Sequence, residues 1–228
     1  MEPANRATVI TPSQTLAIDA KAKQLRAAGE DVIGLAAGEP DFDTPEHIKA
    51  AAMGALEAGF TKYTPSSGIP ELRQAIAEKL KADNDLDYEP SQIIVNCGAK
   101  HSCFNAMLAI LNEGDEVIIP APYWLSYPEM VRMVGGEPYI VETTAESGYK
   151  LTPDQLRENI SPGTKMLILN SPSNPTGAVY TETELVELAE IALEEQIYVL
   201  SDEIYEKLVY GDAKHTNIAA FTDTTLEN

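Results

Sequence analysis

Basic side chains are scarce: 16 lysines and arginines stand against 36 aspartates and glutamates in 228 residues, a formal charge of −20. Such a surface repels polyanions, so neither nucleic acid nor an anionic membrane is expected as a partner. Its simplest use is solubility. Cysteine is nearly absent as well. Cys97 and Cys103 are the only two, and with His101 as the one imidazole between them they lack zinc-ligand spacing. Both are expected as reduced, packed thiols. There is no apolar run of membrane-spanning length and no basic, apolar signal segment at the start, which makes the cytoplasm the expected compartment. Internal repeats and low-complexity tracts are missing too. Against these absences, a hydrophobic content of 44% suffices for a packed core and excludes disorder.

The first dozen or so residues are polar and irregular and read as an arm. Ser13 reads as the N-cap of a helix carrying Leu16, Ala20 and Leu25 and stopped at Gly29. Val32–Leu35 reads as a short strand. Thr44 and Pro45 read as N-cap and first helical residue of a helix with Ile48, Ala52, Ala55 and Leu56 on one face. A second helix follows a Thr/Ser/Pro-rich loop and turns Leu72, Ile76 and Leu80 inward. From Ile93 onward strand and helix alternate. Strands are expected at Ile93–Val95, Glu116–Ile119, Tyr139–Val141, Met166–Leu169 and Ile197–Leu200. One intervening helix carries Phe104, Met107, Leu108 and Leu111; another opens on a capping box, Thr181 to Glu184, and carries Leu185, Leu188, Ala189 and Ala192. This alternation implies an α/β fold, a mostly parallel sheet sandwiched by helices.

Ligands of open α/β sheets bind beyond the carboxyl ends of the strands. The strand at Ile197–Leu200 ends in Asp202, Glu203 and Tyr205, so Asp202 stands where chemistry would occur; the alternative is an acid capping the next turn. Asn170–Gly177 (NSPSNPTG) follows the preceding strand in the same way, and by residue type alone is a good turn. Gly98-Ala99-Lys100 opens a helix, where backbone N–H groups can receive a phosphate or simply make an ordinary strand-to-helix turn. Trp124 is the sole tryptophan and, without context, a core residue. Tyr63 is an aromatic in a loop.

Taken together, Ala37–Pro45 (AGEPDFDTP), Thr61–Pro65 (TKYTP), Cys97–Lys100, Pro122–Trp124, Asn170–Gly177 and Ser201–Tyr205 resemble, in this order and spacing, the pyridoxal-phosphate (PLP) enzymes of the class I aminotransferase family, above all its bacterial aspartate-type members. The resemblance implies PLP as cofactor. Asp202 would hold the pyridine nitrogen protonated, Tyr205 and Asn174 would meet the ring oxygen, and Trp124 would stack on the ring. Gly98, Ala99 and Lys100 would hold the phosphate, joined by Tyr63 of a neighbouring subunit, so the active unit would be a homodimer. Gly38 would meet the substrate α-carboxylate through its N–H, beside Trp124 and Asn174, with Lys100 also placed to meet the distal carboxylate of an acidic substrate. Glu203 would point away from the site, and the Asn174–Pro175 bond would be cis.

The implied substrates are an amino acid, aspartate or glutamate by preference, and a 2-oxo acid. The implied architecture is an N-terminal arm and small-domain segment over residues 1–45 and a PLP-binding large domain over 46–228. The family's large domain has seven strands, of which five are counted here. By the family's order, the lysine that carries the cofactor and the arginine that clamps the α-carboxylate come after Asn228, so this chain reads as an N-terminal portion, inactive alone. Three alternatives stay open: another PLP reaction such as β-elimination, prephenate transamination (some relatives with that activity have Lys where this chain has Thr11), and a non-catalytic remnant.

Overall fold

The computed structural model describes residues 4–8, 10–36, 38–39 and 42–221. Ala37, Pro40 and Asp41 of the first motif, and the chain end from 222 onward, lie outside them. Two compact units divide the chain, one formed by Thr11–Ser66 and the other by residues 1–10 with 67–228. Along the sequence the helices are α1 (Asn5–Thr8), α2 (Gln14–Ala27), α3 (Glu46–Glu57), α4 (Pro70–Asn84), α5 (Ala99–Ile110), α6 (Ser126–Met133), α7 (Pro153–Asn159) and α8 (Glu182–Glu194). The strands are β1 (Glu116–Ala121), β2 (Glu137–Glu142), β3 (Thr164–Asn170) and β4 (Tyr198–Asp202).

The larger unit is built on one parallel sheet of order β2-β1-β3-β4. Successive strand residues face opposite sides, and both sides are covered. Ile118, Leu167 and Leu169 pack against Leu156 of α7 and against Leu185, Leu188 and Ile191 of α8. On the other side Val117, Ile119, Met166 and Ile168 meet Cys103 and Met107 of α5 and Tyr127, Met130 and Val131 of α6. Fully burying a side chain of this size contributes about 1.5–3 kcal/mol, so these two layers hold the sheet together. The α8 start follows its capping box: Thr181 Oγ1 accepts from Glu184 N–H, and Glu184 Oε2 accepts from Thr181 N–H at 2.7 Å. The chain runs from β1 outward to β2, then returns past β1 to β3. That reversal leaves a crevice between the carboxyl ends of β1 and β3, the usual ligand position in such sheets.

Several local expectations are corrected. Ile93–Val95 is extended, with Ile93 at φ −109° and ψ 131°, but Val95 N–H donates to Ser67 C=O rather than to a strand, so the sheet has four strands among the described residues, not five. Val32–Leu35 forms no strand either; a strand needs a ladder partner, and Ile33 and Leu35 are exposed. Helix α3 starts one residue late, because Pro45 sits at ψ 140° and is the N-cap rather than the first helical residue. Leu108 and Leu72 are exposed instead of inward, and Cys97 is exposed where a packed thiol was expected. Helices α6 and α7 were absent from the sequence reading.

The smaller unit is different in kind. Ser13 caps α2 as expected, its side chain accepting from Leu16 N–H at 3.3 Å. Yet Ala22 is the only buried residue on α2, and α3 has none.

Candidate active site

The site is assembled at the carboxyl end of the sheet from four loops. Asp202 is the last residue of β4, directly across the ladder from Asn170, the last residue of β3. The residue is 7% exposed, and its carboxylate is met by three donors. Tyr127 Oη donates to Oδ2 at 2.7 Å, Cys103 Sγ approaches the same oxygen at 3.8 Å, and Ile204 N–H donates to Oδ1 at 3.2 Å. Such donors replace the water that a buried carboxylate gives up. Burial, then the Asp202 charge, pushes the Cys103 thiol up to about 12 and the Tyr127 phenol upward as well. Both therefore keep their protons and remain donors at physiological pH.

Trp124, half-buried after β1, contacts Tyr127 edge-on, with ring centroids 5.3 Å apart. Lys100 Nζ lies 4.7 Å from the Trp124 ring centroid, a cation–π contact that ties the start of α5 to this loop. Gly98 is the N-cap of α5 at φ +86°, where L side chains are disfavoured, and nothing within 4 Å would meet a Cβ there. Its C=O accepts from His101 and Ser102 N–H, which leaves the N–H groups of Ala99 and Lys100 facing out of the helix start without an intrahelical acceptor. Asn174 N–H is held by Asn170 Oδ1 at 2.7 Å, and the Asn174–Pro175 bond is cis. The crevice beside it is lined by Pro122, Tyr123, Tyr127, Asn170, Ser173 and Asn174, that is, by the ends of β1 and β3.

The structure thus links Lys100, Trp124, Asp202 and Asn174 through a continuous series of contacts by way of Tyr127 and Asn170. Tyr205 is half-buried and close enough to Tyr127 to bear on its ionisation. The Glu203 carboxylate is engaged with other groups: Ser201 Oγ at 2.6 Å, Asn217 Nδ2 at 2.7 Å and His215 Nε2 at 3.2 Å. Gly38 and Tyr63 belong to the smaller unit and are exposed there.

Three residues of the site escaped the sequence reading. Tyr127 follows Trp124 by three, the spacing that puts both on one side of a helical turn, so recognising α6 would have found it. Cys103 was read only as a packed thiol, and Asn170 only as the first letter of a turn motif.

These groups fit PLP. A helix start offers two outward N–H groups to a phosphate, an indole face suits an aromatic ring, and a buried carboxylate with its own donors suits a protonated ring nitrogen.

The family model for aminotransferase class I and II matches residues 30–227. The aspartate aminotransferase of Bacillus sp. (strain YM-2) is 57% identical over 220 residues, 96% of this chain and 56% of that protein. The aspartate/prephenate aminotransferase of Cereibacter sphaeroides is 56% identical over 211 residues, 92% of this chain and 53% of that protein. The structure of aspartate aminotransferase from Thermus thermophilus with maleate superposes with a TM-score of 0.94 at 50% identity, covering 97% of this chain and 58% of that one. The chain spans little more than half the length of these relatives. The chain belongs to the class I and II aminotransferase family.

Proposed function

We propose that the protein carrying this chain is a PLP-dependent aminotransferase that moves an amino group between an amino acid, aspartate or glutamate by preference, and a 2-oxo acid. The observation that supports this reading best is the convergence of Asp202, Trp124, Asn174 and the α5 start at the carboxyl end of one parallel sheet. When bound, PLP supplies an electron sink for the substrate's α-carbon. The chain's residues hold that sink in place. Gly98, Ala99 and Lys100 receive the phosphate, Trp124 covers the ring, and Asn174 and Tyr205 donate to its oxygen. Asp202 meets the ring nitrogen, while Tyr127 and Cys103 keep its carboxylate oriented.

Gly38 meets the substrate α-carboxylate, with Trp124 and Asn174 alongside. Lys100 reaches either the phosphate or a distal carboxylate. Residues 1–45 serve as arm and small-domain segment and 46–228 as the cofactor domain, in a cytoplasmic homodimer whose partner receives Tyr63.

The test is a comparison of neighbours in the complete protein with excess PLP. Asp202→Ala is expected to lower turnover by about a hundredfold, as loss of a charged hydrogen bond of roughly 3 kcal/mol would, and Glu203→Ala far less. Equal losses would sink the assignment of Asp202. Lys100→Ala should lower efficiency with aspartate and spare alanine. A second reading, prephenate as an additional amino acceptor, is favoured by the name of the Cereibacter sphaeroides relative; the same assay with prephenate decides it.

A further inference from the structure

The side chain of Asn170 uses its amide to bridge two loops that otherwise belong to different strands. Its Oδ1 accepts from Asn174 N–H at 2.7 Å, and its Nδ2 donates to the C=O of Asp202 at 2.8 Å and of Pro172 at 3.3 Å. The partners fix the orientation of the amide, since turning it over would set N–H against N–H and oxygen against two carbonyls. Below it, Asn170 and Asp202 are register partners, and Ser171 N–H also donates to Asp202 C=O at 3.2 Å. The close substitutes fit this place poorly. Aspartate has the acceptor but no donor, serine lacks the span, and glutamine is longer by one carbon–carbon bond, about 1.5 Å.

We propose that Asn170 is a positioning residue that clamps the Asn174 loop to the Asp202 strand end, and so sets the separation between the group at the cofactor's ring oxygen and the group at its ring nitrogen. The proposal rests on the cofactor reading above for its consequence, but the clamp itself exists without the cofactor. Asn174 comes from an irregular loop, and its backbone N–H is held by this side chain rather than by any strand. Freed from Asn170, the loop would sample positions in which the Asn174 amide no longer meets a ring held at Asp202. A shift of this kind weakens binding without disturbing the two apolar layers of the sheet.

Two measurements on the complete protein test it. The first needs no cofactor: amide hydrogen exchange at Asn174 in Asn170→Ser should be at least about tenfold faster than in wild type, with Ile118 in β1 unchanged. Asn170→Asp keeps the acceptor and should leave that amide protected. The second is a double-mutant cycle read by PLP affinity. Asn170→Ser should weaken PLP binding by about tenfold when Asn174 is present and by no more than about threefold in an Asn174→Ala background. Unchanged exchange at Asn174 in Asn170→Ser, or the same loss of PLP affinity in both backgrounds, would overturn the clamp. If Asn170→Ser does not fold, Asn170→Ala carries the cycle in the same two Asn174 backgrounds, with the same expected outcome. A wild-type protein that binds no PLP would refute the cofactor reading instead, and the exchange measurement alone would then judge Asn170.

Discussion

The two units treat their apolar residues in opposite ways. In the larger one, Val117, Ile118, Ile119, Leu167 and Leu188 have essentially no exposure. In the smaller one, Leu16, Ile18, Ile33, Leu35, Ile48, Met53, Leu56 and Phe60 are all exposed. Both regions carry helical periodicity in sequence, and both form the expected helices. Periodicity therefore reports which face of a helix could be buried, and only a neighbouring layer decides whether it is. The sheet supplies such a layer on both of its sides. A pair of helices joined by irregular chain does not.

The contrast can be broken most sharply by truncation. Leu167→Ala should cost about 2–5 kcal/mol of stability in urea unfolding, because it opens a cavity between two covered layers. Leu35→Ala, at a position 92% exposed, should stay within about 0.5 kcal/mol. Comparable losses would mean that Leu35 is covered in solution.

Adding a methyl group gives the next largest difference. A Cβ on Gly136 would lie 3.0 Å from Val131 Cγ1 and 3.1 Å from the Asp115 carbonyl oxygen. Gly136→Ala should therefore destabilise by about 1–3 kcal/mol. Gly54, inside α3, has nothing within 4 Å of its Cβ position. Gly54→Ala should instead raise α3 protection against amide exchange by up to about 1 kcal/mol, since alanine restricts the unfolded chain.

Helix caps come third. Thr181→Ala should cost about 1 kcal/mol in global unfolding because α8 is docked on the sheet, whereas Ser13→Ala should show only as faster exchange in the first turn of α2. A global loss from Ser13→Ala would mean that α2 unfolds together with the sheet.

The smallest effect is expected at Glu203, a half-buried carboxyl in the larger unit. Burial raises its carboxyl above the usual 4.5, against the opposing influence of Ser201 and His215, and the Glu206 charge adds to the rise. Asn217 also donates to it. A raised carboxyl means that the folded state binds its proton more tightly than the unfolded chain. Its contribution is thus present below pH 4.5 and is lost as pH rises through the folded value. Glu203→Gln should flatten that part of the stability–pH curve, a change read as the difference between the two proteins' urea midpoints from pH 4 to 7.

What was legible in the sequence follows the same division. The strands β1 and β3 were visible because burial on both sides makes them continuous apolar runs, β4 because its short β-branched and aromatic run reads as a strand although only Asp202 in it is buried, and α8 because its cap and its stripe agree. Asp202, Asn174 and Trp124 were singled out through the motifs around them, and the fold joins them by a chain of contacts. Ile93–Val95 looked like a strand by composition, but hydrogen-bonded pairing is a property of neighbours that composition does not encode. Tyr127 was missed because α6 is only two turns long and begins inside a proline-containing stretch. Asn170 was missed because a side chain that bridges two loops has no signature until both loops are in place.

The rung that joins Asn170 to Asp202 has one more consequence. Side chains on a strand alternate between faces, so sliding β4 by a single residue against β3 would turn Asp202 to the opposite side of the sheet and bring Glu203 or Ser201 opposite Asn170. Apolar neighbours would tolerate part of that slip; the carboxylate would not. Asp202 is therefore a registration mark for the fold. A chain that has assembled its sheet one step out of alignment would still contain its helices, yet Tyr127 Oη and Cys103 Sγ would no longer face the carboxylate they meet here, so the environment of Tyr127 can be used to count correctly threaded molecules in a refolding mixture.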